Sequence, residues 1–332
     1  MNAYYQEKRM ALLPLQSEVS KDIATGVMAT LVIFSVSIFM PVVGFLFSVF
    51  IPLPILFYRA KLGRRRGMIV PLVAIAVMGL VFGGLTMDIL FFSGLMFLGF
   101  AISEMFEKEL SVEMTVVAAC GVVLGAGLAG ILLYSMVANT GVYTLVSAYV
   151  ATNLALSLDL YKGIGIPQET IDTISGSLDQ IQFVLVRILP SLAAASTLFV
   201  AWTNVIAARP IMQRRGLSFP DFGHLNRWRA PEPLIWGVIG CGLIMFLPVT
   251  GIRLIGVNGL LVLLTIYFIQ GIAIVSFFFE KKKLPRVIRV VLYMMIALQQ
   301  LFLLVIICIG LFDMWINFRK IDTNKGEPDL PA

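Results

Sequence analysis

The sequence predicts an all-α fold, a polytopic helical membrane protein with about eight to nine transmembrane helices, on three observations. No Asp, Glu, Lys or Arg occurs from Ile23 to Tyr58, nor from Met114 to Ser157. Hydrophobic residues make up 59% of the 332-residue chain and charged residues only 13%, about half the charged share of an ordinary soluble domain. Arginine and lysine, which leave a net charge of +6, gather in three short loops instead of spreading along the chain. A hydrocarbon core of roughly 30 Å needs about 20 apolar residues per helix, and backbone polar groups inside it must be satisfied within the segment. The long uncharged runs therefore read as membrane spans, several of them paired.

Residues 1–21 are polar, carry Glu7, Lys8, Arg9, Glu18 and Lys21, and read as a cytoplasmic amino-terminal segment. The apolar run that follows is longer than a signal-peptide core and reads as a retained anchor. Ile23 to Tyr58 is too long for one helix and contains Pro41, Pro52 and Pro54, so it divides into spans at about 22–40 and 43–58. That division puts the amino terminus and the cluster Arg59, Lys61, Arg64, Arg65 and Arg66 on one side, the cytoplasm, because basic residues are retained there in short loops. Met68 to Ile102 would reach roughly 50 Å as a single helix. Gly83-Gly84 and Asp88 interrupt it, and a hairpin of two short spans results. The acidic loop from Glu104 to Glu113 leads to a span at about 114–137, which closes an amino-terminal membrane bundle at 22–137.

Val142 to Leu160 is apolar enough to cross, yet a crossing there would carry the cluster Arg209, Arg214, Arg215, Arg227 and Arg229 outside. Parity therefore places 138–180 on the outer face as an amphipathic helical segment, in which Pro167 opens a helix bearing Glu169 and Asp172. The alternative makes 68–102 one long tilted span and lets 142–160 cross. A long helix from Ile181 to Ala208 with Arg187 and Pro190 inside it, a cytoplasmic loop at 209–232 and spans at about 233–250 and 257–279 follow. A third basic loop, with Lys281, Lys282, Lys283, Arg286 and Arg289, leads to a final helix at about 287–312. This carboxyl-terminal membrane bundle, 181–317, brings the count to nine spans and leaves a polar tail, 318–332, outside. The expected location is the cell inner membrane, multi-pass, with a cytoplasmic amino terminus.

Much chemistry is excluded. His224 is the only histidine and falls in a loop, so no histidine metal site or histidine triad can form within one chain. Cys120, Cys241 and Cys308 lie in apolar segments without metal-ligand spacing and read as packing residues. No GxxxxGK[ST] phosphate loop occurs, so ATP-driven work would need an ATPase or coupling subunit. The basic clusters mark membrane orientation instead of a nucleic-acid site. No catalytic residues, metal or cofactor are expected, and the chain does not read as an enzyme.

Polar side chains inside spans carry the remaining signal, because burying them costs several kcal/mol unless they find partners or water. Asp88 and Arg187 are the principal candidates for a solvated ligand pocket in the outer half of the bilayer; the plainer alternative is that both snorkel to the interface. Asn204, Asn258 and Gln270 are further ligand candidates, although hydrogen bonds between helices account for such residues more often than ligand contacts do. Pro190 removes a backbone donor near Arg187 and frees a carbonyl there. Small residues four apart, Gly121, Gly125 and Ala129 on one helix and Thr25 and Ala29 on the first span, are expected to permit close helix packing.

Arg227-Trp228-Arg229-Ala230-Pro231-Glu232 with Leu234 and Trp236, Gly256-Val257-Asn258-Gly259 and Gln270-Gly271 resemble the later half of the YybS-like family of bacterial membrane proteins. Pro52-Leu53-Pro54 and the stretch from Leu160-Tyr161-Lys162 to Leu189-Pro190 fit the same family, so the resemblance spans nearly the whole chain. It implies membrane residence and no particular chemistry. More remotely, the amino-terminal spans resemble the substrate-binding components of energy-coupling-factor transporters and the rod-shape protein MreD. In those transporters alanines four apart on the first span contact the coupling subunit. Here Ala24 pairs with Met28, and Thr25 with Ala29 only approximates the pattern.

Two function classes follow. One is a small-solute-binding or permease-like transporter subunit for a small organic solute, expected to show a polar cavity near the outer leaflet. The other is a non-catalytic membrane scaffold for envelope proteins, expected to show a filled interior and an exposed partner surface such as the arginine-rich 209–229 loop. Both require the lipid bilayer, and neither requires nucleic acid.

Overall fold

A computed structural model describes residues 2–84 and 86–320, and every regular element among them is helical. From residue 321 on, the expected tail lies outside the described residues. In chain order the α-helices are α1 (Asn2–Phe39), α2 (Pro41–Ser48), α3 (Pro52–Leu62), α4 (Arg64–Gly67), α5 (Ile69–Val81), α6 (Met87–Phe106) and α7 (Val112–Val137). They continue as α8 (Val142–Gly163), α9 (Gln168–Gly176), α10 (Leu178–Arg214), α11 (Leu234–Ile244), α12 (Thr250–Lys281), α13 (Arg286–Leu298) and α14 (Gln300–Ile316).

Among the described residues, six segments are long and apolar enough to cross a bilayer: Glu18–Phe39, Gly44–Leu62, Asp88–Phe106, Val112–Val137, Leu178–Arg214 and Thr250–Lys281. The pair α13 and α14 makes a seventh if its two halves, bent by 102°, count as one. The expected eight to nine spans are thus too many, and the reason is where helices break. The hairpin at Gly83-Gly84 exists, both glycines having positive φ, but its first arm is the 13-residue α5. At 1.5 Å per residue α5 reaches about 20 Å, short of a roughly 30 Å core. The expected span at 233–250 yields only the 11-residue α11, because the helix ends before Pro248, which has no N–H to continue it. The expected final helix breaks at Gln299, whose backbone is extended.

The chain forms two compact units that interleave along the sequence. The first comprises Met1–Ala129 and Thr197–Phe222, the second Gly130–Ser196 and Gly223–Ala332, so α10 contributes to both.

In the first unit, helical spacing builds a core from four helices. Val70, Ala74 and Met78 of α5 recur every four residues, and Ile89, Phe92, Met96 and Phe100 of α6 recur at three and four against Val27 and Phe34 of α1. The Phe34 ring meets Phe92 edge to face, with centroids 4.9 Å apart. Pro52 opens α3, where a missing N–H costs nothing, and the preceding turn leaves the Val49 carbonyl without a helical partner. Asn204 of α10, fully buried, donates to that carbonyl at 2.7 Å.

In the second unit, α12 is the central helix. Its first half packs on α11, where a Cβ at Gly256 would press on the Cys241 carbonyl and one at Gly259 on the Cys241 sulfur. Its second half crosses α14 at two glycines: a Cβ at Gly271 would collide with the Ile306 carbonyl, and one at Gly310 with the Tyr267 carbonyl. Such small-residue crossings bring helix backbones together where no hydrophobic drive exists between helices in lipid. The small residues expected to do this lie elsewhere. A Cβ at Gly121 or Gly125 meets nothing within 4 Å, and Ala129 is exposed. On α1, Thr25 is exposed with its hydroxyl donating to the Lys21 carbonyl, and Ala29 is half-buried. The close contact there is made by Gly26, seated against the Tyr58 ring.

Candidate functional site

Arg187 sits on α10 in the second unit, one turn before Pro190. Its guanidinium carbon lies 3.4 Å from the centroid of the Phe183 ring, one turn earlier on the same helix, and 5.7 Å from that of Tyr143 on α8. Nη1 donates to the Phe183 carbonyl at 3.0 Å and lies 3.5 Å from the Tyr143 hydroxyl, the outer limit of a hydrogen bond. A second link fixes α8 against α10: the Gln182 side chain donates to the Ser147 hydroxyl at 2.8 Å and to its carbonyl at 3.1 Å. Asn258 of α12 donates to the Arg187 backbone carbonyl at 3.1 Å, beside the proline. Three helices thus converge on one arginine. Its partners in the described residues are aromatic rings, a hydroxyl and a carbonyl; no carboxylate lies within ion-pair distance of it there.

The other predicted residues separate. Asp88 lies in the first turn of α6, in the first unit, exposed and next to the Thr86 cap, whose hydroxyl accepts from the Ile89 N–H. An acid there complements the helix dipole. Asn204 belongs to the first unit and spends its amide on the Val49 and Val200 carbonyls. Gln270 is buried on α12 and bridges two other groups: its Oε1 accepts from the Ala230 N–H at 3.0 Å, and its Nε2 donates to Asp313 at 3.4 Å. Of the five ligand candidates, the structure brings together Arg187 and Asn258.

Two charged clusters escaped the sequence reading. In the second unit Asp313 of α14 and Arg319 are both fully buried, with Arg319 Nη2 donating to Asp313 Oδ2 at 2.8 Å. Arg319 Nη1 donates at 3.0 Å to the Asn226 and Trp228 carbonyls, and the Phe318 N–H donates to Asp313 Oδ1 at 3.0 Å. Arg229 approaches the same carboxylate at 3.7 Å and donates to the Asn317 side chain. Burial pushes the Arg319 pKa down from its ordinary value, and Asp313 opposes that. In the first unit Arg59, buried on α3, pairs with Glu104 and Glu107 at the end of α6 and donates to the Ser103 carbonyl at 3.2 Å. The Arg59 hydrogen bond holds the Glu107 carboxyl below the usual glutamate range.

Both clusters left a trace in the sequence. Arg59 continues the four-residue stripe Ile51, Ile55, and Asp313 continues the buried stripe Ile306, Gly310, so each charge stands where an apolar core residue is due. No group of three or more His, Cys, Asp or Glu among the described residues could hold a metal. A groove of about 280 Å³ on α14 is lined by apolar side chains of that helix and Phe318, with Cys308 among them, and touches none of the predicted site residues.

The model of the family described as "Predicted membrane protein (DUF2232)" matches residues 28–314, from within α1 to within α14. The chain belongs to that family. The match takes in Arg187 and its neighbours, the Arg59 cluster and Asp313, and stops short of Asn317 and Arg319. "Uncharacterized protein YybS" of Bacillus subtilis (strain 168) is 22% identical over 298 residues, which cover 85% of this chain and 91% of that one. No solved structure matches this DUF2232 chain.

Proposed function

We propose that the protein is a non-catalytic, small-solute-binding or permease-like membrane subunit, and that Arg187 is the anchor for an anionic group on its solute. The arrangement of Arg187 carries this reading. A guanidinium that lies against the Phe183 ring, within cation–π reach of Tyr143, and whose other contacts are neutral groups keeps its ability to take a carboxylate or phosphate in two parallel hydrogen bonds. Cation–π contact contributes about 0.5–2 kcal/mol. That compensates only partly for holding a charge in a membrane helix, so an anion bound there gains more than it would at a paired arginine. The Tyr143 hydroxyl offers a neutral polar contact beside it. An ATPase or coupling subunit would power any uptake.

The test is mass-spectrometric identification of small molecules released from the full-length protein purified in mild detergent. An anionic organic solute recovered in stoichiometric amount from the parent, and lost from Arg187→Gln, is the expected result. Recovery of phospholipid alone, equal in both, would count against a solute site.

A second reading, a scaffold in the envelope, draws on one feature of the first unit. Phe219 and Phe222, in the arginine-rich segment 209–222, meet Phe106 at the end of α6 and each other edge to face, with ring centroids 5.1–5.8 Å apart. This gives the loop a fixed aromatic footing from which its arginines could meet a partner.

A further inference from the structure

We propose that α13 lies in the plane of the membrane interface, on an anionic lipid leaflet, and that α13 and α14 together return to the face they left instead of crossing. Four features support this.

The first is the pattern of α13. Arg286, Arg289, Tyr293 and Ala297 are spaced 3, 4 and 4 residues apart and so share one narrow face, while the other nine residues of the helix are all apolar. The spanning helices α7 and α12 carry apolar residues all round and no such stripe. A helix with one polar stripe and a broad apolar face is suited to the boundary between headgroups and acyl chains.

The second is packing. No residue of α13 is buried, and Val287 and Leu298, at its two ends, are 74% and 73% exposed. The middle of the stripe touches the rest of the chain, its two ends Arg286 and Ala297 being exposed: Arg289 Nε donates to the Leu284 carbonyl in the loop before the helix at 2.8 Å, and the Tyr293 ring meets Phe279 of α12 with centroids 5.3 Å apart. The apolar face is therefore turned away from α12. In a bilayer protein acyl chains are the partner of matching chemistry.

The third is length and direction. Thirteen residues reach about 20 Å, too short for a roughly 30 Å core, and the chain then turns by 102° into α14. The fourth is where the pair ends. Arg319 donates to the Asn226 and Trp228 carbonyls, and the Asn226 side chain donates to Glu280 in the last turn of α12. Residue 319 is thus tied to the loop that meets the carboxyl-terminal end of α12, the end from which Lys281 to Arg286 set out. The expected ninth crossing, which put the carboxyl terminus outside, is replaced by a return to the side of the basic loops. Lys281, Lys282, Lys283 and Arg286, all exposed at the head of α13, supply the charge that draws an anionic leaflet.

The experiment uses the full chain with its three native cysteines replaced, reconstituted in vesicles of phosphatidylethanolamine and phosphatidylglycerol. Nitroxides at Val287, Val291, Met294 and Leu298 report depth from the balance of oxygen and nickel-chelate collisions. An in-plane α13 gives the same depth at all four, whereas a helix along the membrane normal would spread them over about 16 Å. In the same background, Lys320→Cys and Lys282→Cys are labelled with a membrane-impermeant maleimide. Labelling of both from the same side of sealed vesicles is expected. A steady change in depth from 287 to 298, or labelling of position 320 from the side opposite to 282, overturns the proposal.

Discussion

Asp313→Asn is the substitution for which the structure gives the clearest magnitude. The change keeps the side-chain volume, so packing of α14 against α12 is untouched; it removes one charge and turns one accepting oxygen into a donor that faces donors. The Arg319 guanidinium then remains fully buried without its carboxylate, and Arg229, 33% exposed, stands beside it as a second cation. Stranding one partner of a buried ion pair costs about 3–5 kcal/mol. The two backbone carbonyls still held by Arg319 argue for the lower end, and ~3 kcal/mol corresponds to a drop of roughly 6–12 °C in apparent melting temperature for a body of this size. The control is Asp159→Asn, which breaks the pair with Lys162, whose side chains are 72% and 50% exposed; such a pair contributes about 0–0.5 kcal/mol. Differential scanning fluorimetry of both variants in one detergent reads the difference. Adding Arg319→Gln to Asp313→Asn removes the stranded charge and recovers part of the loss. If Asp313→Asn melts with the Asp159→Asn control, or if the double variant is the sum of two large losses, the reasoning about a buried charge is wrong.

Further outcomes follow from the same structure. Gly310→Ala places a methyl against the Tyr267 carbonyl and forces α14 off α12, at a cost of about 1–3 kcal/mol or more, whereas Gly240→Ala, with open space around it, is neutral or slightly stabilising by the same melting assay. Glu107 has its pKa lowered by Arg59, so its contribution is present above the ordinary glutamate value near pH ~4.3 and is lost as pH falls through the depressed one. Because that side chain is 64% exposed, the effect is below about 1 kcal/mol, and Glu107→Gln flattens the acid limb of a stability–pH curve only slightly. Arg215→Cys, in a background without native cysteines, is expected to resist an impermeant maleimide in intact cells, since basic loops are retained in the cytoplasm; strong labelling would reverse the orientation.

What could be read from the sequence was set by length and charge. Two runs without Asp, Glu, Lys or Arg fixed the first spans, and Gly83-Gly84 marked the hairpin, because only a break with positive φ turns the chain there so tightly. Pro167 marked the entry to α9, where it stands as the cap. Helix breaks inside apolar runs were harder. Nothing in composition distinguishes the 11-residue α11 from a full span until the stop before Pro248 is weighed, and the 102° bend at Gln299 follows from packing that hydropathy does not record. Arg59 was sorted with the exposed arginines next to it because charge alone does not show depth. Its register with Ile51 and Ile55 does. Arg187 was found because an arginine beside a proline in a span is conspicuous, but its aromatic neighbours depend on how α8 packs against α10 and could not be foreseen.

The central claim, that Arg187 holds an anionic group, is tested most directly by comparing ligand retention in Arg187→Lys with that in Arg253→Lys at equal expression. Arg253 stands exposed in the first turn of α12, where a lysine serves as well. A bidentate contact does not survive replacement of the planar fork by a point charge. Small molecules extracted from the Arg253→Lys protein are expected to match those of the parent, while the Arg187→Lys protein loses at least tenfold, about 1.4 kcal/mol of binding. Equal retention by the two variants, or no anionic solute from the parent, contradicts it.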